Sequence, residues 1–399
     1  MLVSRRNGQS LEGSRVAVTG LGSVSCLGLG AEVLFDRLLN PAAPSQRRVA
    51  QFDTTHLGGP KEIRRLDPFA LFALAAADEA WCQSGLPERF ADGASIISTG
   101  IGGIQSLLEQ VIVLGERGAN RVSPFLIPMM MPNAGAAAVS MRFGLEGPCE
   151  TVTTACAAGT HAVGHGARLI ASGRCSVAVV GGAESVMVEI AEAGFANMTA
   201  LSTKGISRPF DVDRDGFVMG EGAGALVLES YEHALARGAT ILAEVVGAAS
   251  TADAHHITAP EPHGRGAQEC MRRALEDAGI SPQDVDHINA HGTSTPLNDL
   301  AESMAMRAVF GERTLPVTSI KGHLGHSLAA AGALEAVVSV LTLQRQLIPP
   351  TSGTLNVDPE IGLDVVMGKP RAAAIEVVLS NSFGFGGHNG SAVFRRFSQ

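Results

Sequence analysis

Short apolar runs closed by glycine or polar clusters alternate along this chain with stretches of helical spacing. Residues 15–22 (RVAVTGLG) read as a buried strand ending in a glycine turn, and residues 32–39 carry apolar positions at helical intervals. A long amphipathic helix is predicted over 68–85, with Asp67 as its N-cap, and a second strand over 94–98. A helix over 157–172 and strands over 177–180 and 224–228 complete a first half in which β and α segments alternate. That order predicts a mostly parallel sheet with helices on both faces.

After about Ala243 the order starts again. A strand over 244–248 is followed by a helix over 266–278, a strand over 287–290, a helix over 300–310, a strand over 317–319 and a helix over 327–344. Strands over 375–380 and 391–396 close the chain. The halves repeat in element order, not in residue identity. No linker rich in proline, serine or charge divides them, so the chain reads as one compact α/β unit over 14–397, with halves at 14–243 and 244–397.

Composition narrows the class. The chain has 399 residues, 45% apolar and only 17% charged, with 47 glycines in short clusters, as expected of a compact enzyme with many tight turns. The first fifteen residues are polar and basic and lack the apolar core of a secretory signal. The longest apolar run, 327–343, contains Glu335 and is short for a bilayer span. A soluble, cytoplasmic protein without membrane contact is expected. The net charge of −9 disfavours nucleic acid. Six widely spaced cysteines without a C-x-x-C pair argue against a zinc site or a disulfide framework. Lys61, Arg64 and Arg65 form a basic cluster, and Arg121 and Arg208 sit beside proline-containing loops. These fit a dock for an acidic partner, or a solvated helix start.

Three polar segments carry candidate chemistry. In TTACAAG (153–159), Cys156 falls where a strand-like segment runs into a helix of small residues. Unsatisfied amides and the helix dipole there favour a thiolate, the form that attacks acyl carbonyls. A small filler in a crowded helix is the bland alternative, and this segment alone does not decide. His291 in NAHGTSTP (289–296) follows a strand, where loops of parallel sheets emerge, although a lone histidine there is more often structural. Lys321 and His326 in KGHLGHS (321–327) lie at another strand end. Such segments converge on one cleft when each follows a strand of one sheet.

Other motifs are set aside. Gly20-Leu21-Gly22 lacks the third glycine and the acidic ribose ligand of a dinucleotide fingerprint, so no nicotinamide cofactor is expected. Gly325 to Ala329 resembles a nucleophile elbow but ends in alanine, which leaves Ser327 as a helix cap. His161 and His165, four apart, have no glutamate to complete a metal motif and read as helix packing. His255 and His256 lie in a loop without an assigned role.

Together, TTACAAGTHA, NAHGTSTPLND, KGHLGHSLAAAG and NSFGFGGHN stand in the order found in β-ketoacyl-acyl carrier protein synthases, and the chain resembles the type II synthases from about Ser14 to Phe397. The resemblance implies the thiolase fold, two βα halves stacked as αβαβα layers, and a homodimer or a heterodimer with a chain-length-factor subunit. It implies decarboxylative condensation of a Cys156-bound acyl group with a malonyl thioester on acyl carrier protein, with His291 and His326 holding the thioester carbonyl and the enolate. Lys321 is expected to pair with Glu302, with Asp299 as the other acid of that loop. The amides of Cys156 and Phe385 would form an oxyanion hole, with Phe385 as a gate. Thr293 and Thr295 match pantetheine-binding positions. Ile101, Phe195 and Phe383 match substrate-pocket positions, while Leu126 and Ile127 would reach the partner subunit. Lys61, Arg64, Arg65, Arg121 and Arg208 fall where the family docks carrier protein. Asn289, Glu335, Ser380 and Asn381 match a structural monovalent-cation site of some relatives; no catalytic metal or organic cofactor is implied.

The sequence departs from the family at His388, where many members carry threonine, at Asn120, which replaces a frequent basic residue, and in the short segment 40–51. Two rivals share the fold. A thiolase uses a second, C-terminal cysteine, and none follows Cys270. A non-catalytic chain-length factor typically lacks the nucleophile, which is present here. Fatty acid and polyketide elongation would keep every residue named above.

Overall fold

The computed structural model describes residues 15–40 and 42–398. The expected domain start at Ser14 and nearly all of the polar basic segment lie outside the described residues. Ten strands carry the architecture. The first half holds β1 (Val16–Ser25), β2 (Gly93–Ser98), β3 (Cys149–Glu150), β4 (Val177–Glu184) and β5 (Gly222–Ser230). The second holds β6 (Ala243–Ala252), β7 (His287–Asn289), β8 (Pro316–Thr318), β9 (Val377–Gly384) and β10 (His388–Arg396). The main helices are α1 (Pro68–Ser84), α2 (Ala134–Phe143), α3 (Ala158–Ala171), α4 (Arg265–Ala278), α5 (Pro296–Phe310) and α6 (Ala329–Arg345).

The repetition expected from element order is present in the strand pairing. The first half runs β3-β2-β4-β5-β1 and the second β8-β7-β9-β10-β6. In each, the second strand in sequence is parallel to the third and fourth, while the fourth is antiparallel to the fifth and the fifth to the first. The sheets are therefore mixed and not mostly parallel as predicted. The cause is plain in the second half, where the tight turn between β9 and β10 closes a hairpin and forces antiparallel pairing. The two sheets meet where Val16–Val18 of β1 pair with Ala243–Val245 of β6.

Helices α3 and α6 lie between the sheets, touching strands of both, while α1 and α2 cover the outer face of the first sheet and α4, with α5 beside it, that of the second. This is the five-layer thiolase fold. Residues Ala329 to Leu343 of α6 are all buried, which a helix composed almost entirely of Ala, Gly, Val and Leu allows on every side. The N-cap of α1 is as expected: Asp67 accepts the Phe69 amide at 3.1 Å, and Gly85 ends the helix in a left-handed conformation.

Gly20 and Gly22 do not form a turn. β1 runs through both, because a Cβ at either position would lie 2.0 Å or less from the carbonyl oxygen of Ala80 or Ala76. They are spacers that let α1 rest on the strand backbone. The helix Ile104–Arg117, which the apolar pattern did not predict, keeps Val111, Ile112 and Leu114 more than half exposed. Among the described residues no helix is long and apolar enough to cross a membrane.

Candidate active site

The two central helices begin at one place. The chain leaving β3 enters a single 3-10 turn, Ala155–Ala157, and then α3, with Cys156 on that turn and Ala155 held at φ 49° just before it. Such a left-handed backbone is strained for alanine and is tolerated because the surroundings fix it. Part of that support is Gly384 of β9, where a Cβ would stand 3.0 Å from the Cys156 nitrogen. The absent side chain brings the next amide, that of Phe385, onto the Cys156 sulfur, alongside the amide of Cys156 itself.

The chain leaving β8 forms a short helix, Lys321–Leu324, passes His326 and reaches α6 through Leu328 at φ 47°. The His326 amide donates to Val218 O at 2.7 Å and its carbonyl accepts from Gly220 at 3.0 Å, which fixes the backbone on both sides of the ring. His326 Nε2 lies 3.0 Å from Cys156 Sγ. His291, just past β7, is held by Glu302, whose two oxygens accept the amides of His291 and Gly292 at 2.8 Å each. The imidazoles sit edge to face with centroids 5.3 Å apart, and Phe217 packs edge-on against His326. Cys156, His291 and His326 are 4%, 1% and 3% exposed, so the chemistry expected of them would occur almost free of water.

Burial dominates the protonation states. It pushes the Cys156 thiol from 9.0 up to about 12, against the opposing pull of Lys321 and the Phe385 amide. That rise is worth about 4 kcal/mol, whereas a helix end supplies about 0.3–2 kcal/mol. Burial thus opposes the thiolate that the helix head was expected to favour, and the group placed to take the thiol proton is the His326 ring, 3.0 Å from the sulfur. Burial, and then Lys321, hold both imidazoles well below 6.5, so they are neutral. Burial likewise raises Glu302 to about 8.

Lys321 does not pair with Glu302 as expected. Its ammonium bonds Glu335, which projects inward from the second turn of α6, because the Glu302 carboxylate is already spent on the two amides of the His291 loop. This also changes the expected cation site. Asn289 donates to the Glu335 carbonyl at 3.1 Å, and Asn289 Oδ1 and Ser380 Oγ are buried without partners, as suits a coordinating pair. Asn381 points away, toward Met271 and Ser391, since neighbouring strand residues face opposite sides of a sheet.

A cavity of about 370 Å³ opens onto Cys156, His291 and His326 and is walled by Thr293, Thr295 and Phe383, three of the expected substrate contacts, together with Phe385, the expected gate. The two threonine hydroxyls are 2.8 Å apart. Phe195 stands behind that wall, packed on Phe217 and Phe385 in the apolar cluster that includes Cys156, Met219 and Leu328. Ile101 is not brought in; it is 41% exposed on a loop tied down by Glu184. Ile127, on the short helix Leu126–Met130 with Leu126, is 60% exposed and also outside the cavity.

Lys61, Arg64, Arg65 and Arg121 are exposed, and the Arg65 guanidinium stacks 4.1 Å over Phe125, which joins the first cluster to the loop that follows Arg121. Arg208 leaves the patch: its side chain is only 13% exposed and faces Asp213. His161 uses both ring nitrogens on Thr154 and Asn389, and His165 bonds Glu150, so the pair is structural. His256 accepts the amides of its own loop, and Asp299 accepts those of Thr293 and Phe210. Ser327 does not cap α6 with its side chain.

The residue missed from sequence is Glu184, at the end of β4. Fully buried and raised to about 7 by that burial, it accepts from Thr99 Oγ1 (2.9 Å), the amides of Gly100 (2.8 Å) and Ile101 (3.3 Å), and the first amide of α6, Ala329 (3.3 Å). A carboxylate ending an all-apolar strand after two glycines was the available signal.

With this geometry in place, the comparisons agree on one family. Residues 40–234 match the model of the beta-ketoacyl synthase N-terminal domain and residues 242–355 that of the C-terminal domain. A protein of Synechocystis sp. named 3-oxoacyl-(acyl-carrier-protein) synthase 2 is 42% identical over 97% of this chain and 99% of its own length. One chain of a structure described as a type II PKS acyl-carrier protein in complex with its ketosynthase bound to the hexaketide is 30% identical, with a TM-score of 0.88 over 97% of this chain and all of that one. A chain of the ishigamide ketosynthase/chain length factor is 34% identical, with a TM-score of 0.90 over the same shares.

Proposed function

Because the chain belongs to the β-ketoacyl synthase family and is a ketosynthase, an acyl-transferring condensing enzyme of fatty acid or polyketide chain elongation, we propose how its residues divide that reaction. Cys156 attacks the carbonyl of a carrier-bound acyl thioester, and His326 Nε2 accepts the thiol proton and returns it to the departing carrier thiolate. The oxyanion formed in passing takes hydrogen bonds from the amides of Cys156 and Phe385. A malonyl thioester then places its carbonyl oxygen between the neutral rings of His291 and His326, the latter now in the Nε2–H tautomer, reached by proton exchange with solvent after the carrier thiol leaves. Carbon dioxide leaves, the enolate so formed attacks the acyl carbonyl, and the Cys156 sulfur departs as a thiolate that takes a proton from solvent, its original proton having left with the carrier thiol. No cofactor is needed, since neutral N–H donors stabilise both oxyanions.

The observation that carries this reading is the 3.0 Å approach of His326 Nε2 to Cys156 Sγ with the His291 ring beside it. Its test is mass spectrometry of Cys156 after incubation with carrier proteins bearing acyl chains of different length. A covalent acyl adduct on Cys156 is expected, and an adduct on another residue would overturn the assignment.

The carrier protein is acidic in this proposal and docks on Lys61, Arg64, Arg65 and Arg121, without Arg208. Arg65→Glu should raise KM for the carrier by roughly tenfold at low salt and leave kcat unchanged. The exposed face of Val111, Ile112, Leu114 and Ile127 is covered by a second subunit of the same fold. A second copy or a homologous chain-length factor would fill that place, and solution mass with and without such a chain separates the two. Asn289, Ser380 and Glu335, but not the Asn381 side chain, would hold a monovalent cation. The setting proposed is cytoplasmic.

A further inference from the structure

No C-x-x-C pair exists in this chain, yet folding assembles a thiol and two imidazoles whose ligating atoms all lie within 4.8 Å of one another, from Cys156, His291 and His326. Zinc takes cysteine sulfur at about 2.3 Å and histidine nitrogen at about 2.0–2.1 Å, so tetrahedral geometry separates such donors by roughly 3.3–3.7 Å. The donors here need shifts of about 1 Å or less to reach that spacing. Three protein ligands with a fourth position open to a cavity is the pattern of a zinc ion that keeps a site for an exogenous ligand. The Lys321 ammonium, whose charge reaches all three ligands and opposes a cation, is bonded to Glu335, which offsets part of that charge.

One feature sets this cluster apart from a resident metal centre. Metal-bound histidines normally give their other ring nitrogen to a partner that fixes the ring. Here the Nδ1 atoms of both His291 and His326 are buried without a partner. The ligands are grouped for chemistry and are not braced for a permanent ion.

We propose that Cys156, His291 and His326 form an exchangeable three-ligand site for a thiophilic divalent cation such as Zn²⁺, and that metal occupancy and acyl loading exclude one another. On coordination the sulfur exchanges its proton, released to solvent, for a bond to the metal; nothing is oxidised or reduced. An acylated sulfur has no such lone-pair charge to offer, so the acyl-enzyme is protected. The inference rests on where the three side chains stand, and not on the catalytic roles proposed for them.

The test is calorimetric titration of the chelator-treated protein with zinc chloride alone, paired with cobalt(II) absorption spectroscopy. One equivalent of zinc should bind, and cobalt should give a sulfur-to-metal charge-transfer band. Zinc should block acyl loading, reversibly on adding EDTA. Cys156→Ala and His291→Ala should each weaken zinc by more than about 100-fold, the upper range for losing only an indirect partner. Wild-type protein acylated on Cys156 should show the same loss, which keeps the test valid if a variant misfolds. Equal zinc affinity in the acylated and free protein, or stoichiometric cobalt binding without the sulfur band, would overturn the proposal. The acyl adduct itself forms in metal-free protein, so its absence would count against the catalytic reading and not against this one.

Discussion

The heads of α3 and α6 hold the same place in the repeated strand order, one after β3 and the other after β8, and yet they carry different chemistry. At α3 no side chain caps the first turn, and the amides of Cys156 and Phe385 are directed at the sulfur. At α6 the first amide is taken by Glu184, and the segment before it supplies Lys321, from the short helix, and His326, just past that helix. A single architectural unit, used twice, thus yields an acceptor site for developing negative charge at one helix and a proton-handling ring at the other. What differs is which polar group reaches each helix head from elsewhere in the chain.

The comparison is broken most severely at the α3 head. Cys156→Ala should remove acyl loading and lower condensation by roughly 10⁴-fold or more, while malonyl decarboxylation persists, as followed by adduct mass and carbon dioxide release. At the α6 head, His326→Ala should lower single-turnover condensation by roughly 10³-fold and acyl loading by less, because the amides and Lys321 still act on the sulfur. Equal losses in both half-reactions would make Nε2 the obligatory base for each. Beneath that head, Glu335→Ala leaves the buried Lys321 ammonium without its partner and should cost about 3 kcal/mol in chemical denaturation. The smallest effect concerns acidity. Protonation of His291 and His326 is disfavoured by burial and by Lys321, so both stay neutral as pH falls through 6.5. The acid limb of the single-turnover profile should therefore lie below the ordinary imidazole value, with less than about twofold change between about pH 6 and 7. A limb at or above 6.5 would contradict the neutral-ring assignment.

Much of this was legible before any coordinates. The order of elements disclosed the duplication, because strand and helix periodicities differ even when residues do not repeat. The three reacting side chains stood out because each followed a predicted strand. The errors share a cause, which is that sequence spacing does not report what a group meets across the fold. Lys321 was assigned to Glu302, six residues past the His291 loop, when the inward face of α6 offers Glu335. Gly20 and Gly22 were read as a turn when the reason for them lies in a helix sixty residues away. Glu184 escaped notice because its four donors come from two distant segments.

The fit of Gly384 and Phe385 against the Cys156 turn has a consequence for biosynthesis. A nascent chain on the ribosome possesses its reactive sulfur long before it possesses the amide that completes the site, which is translated more than half the chain's length later. Premature acylation during synthesis is thereby limited by the order in which the polypeptide is made.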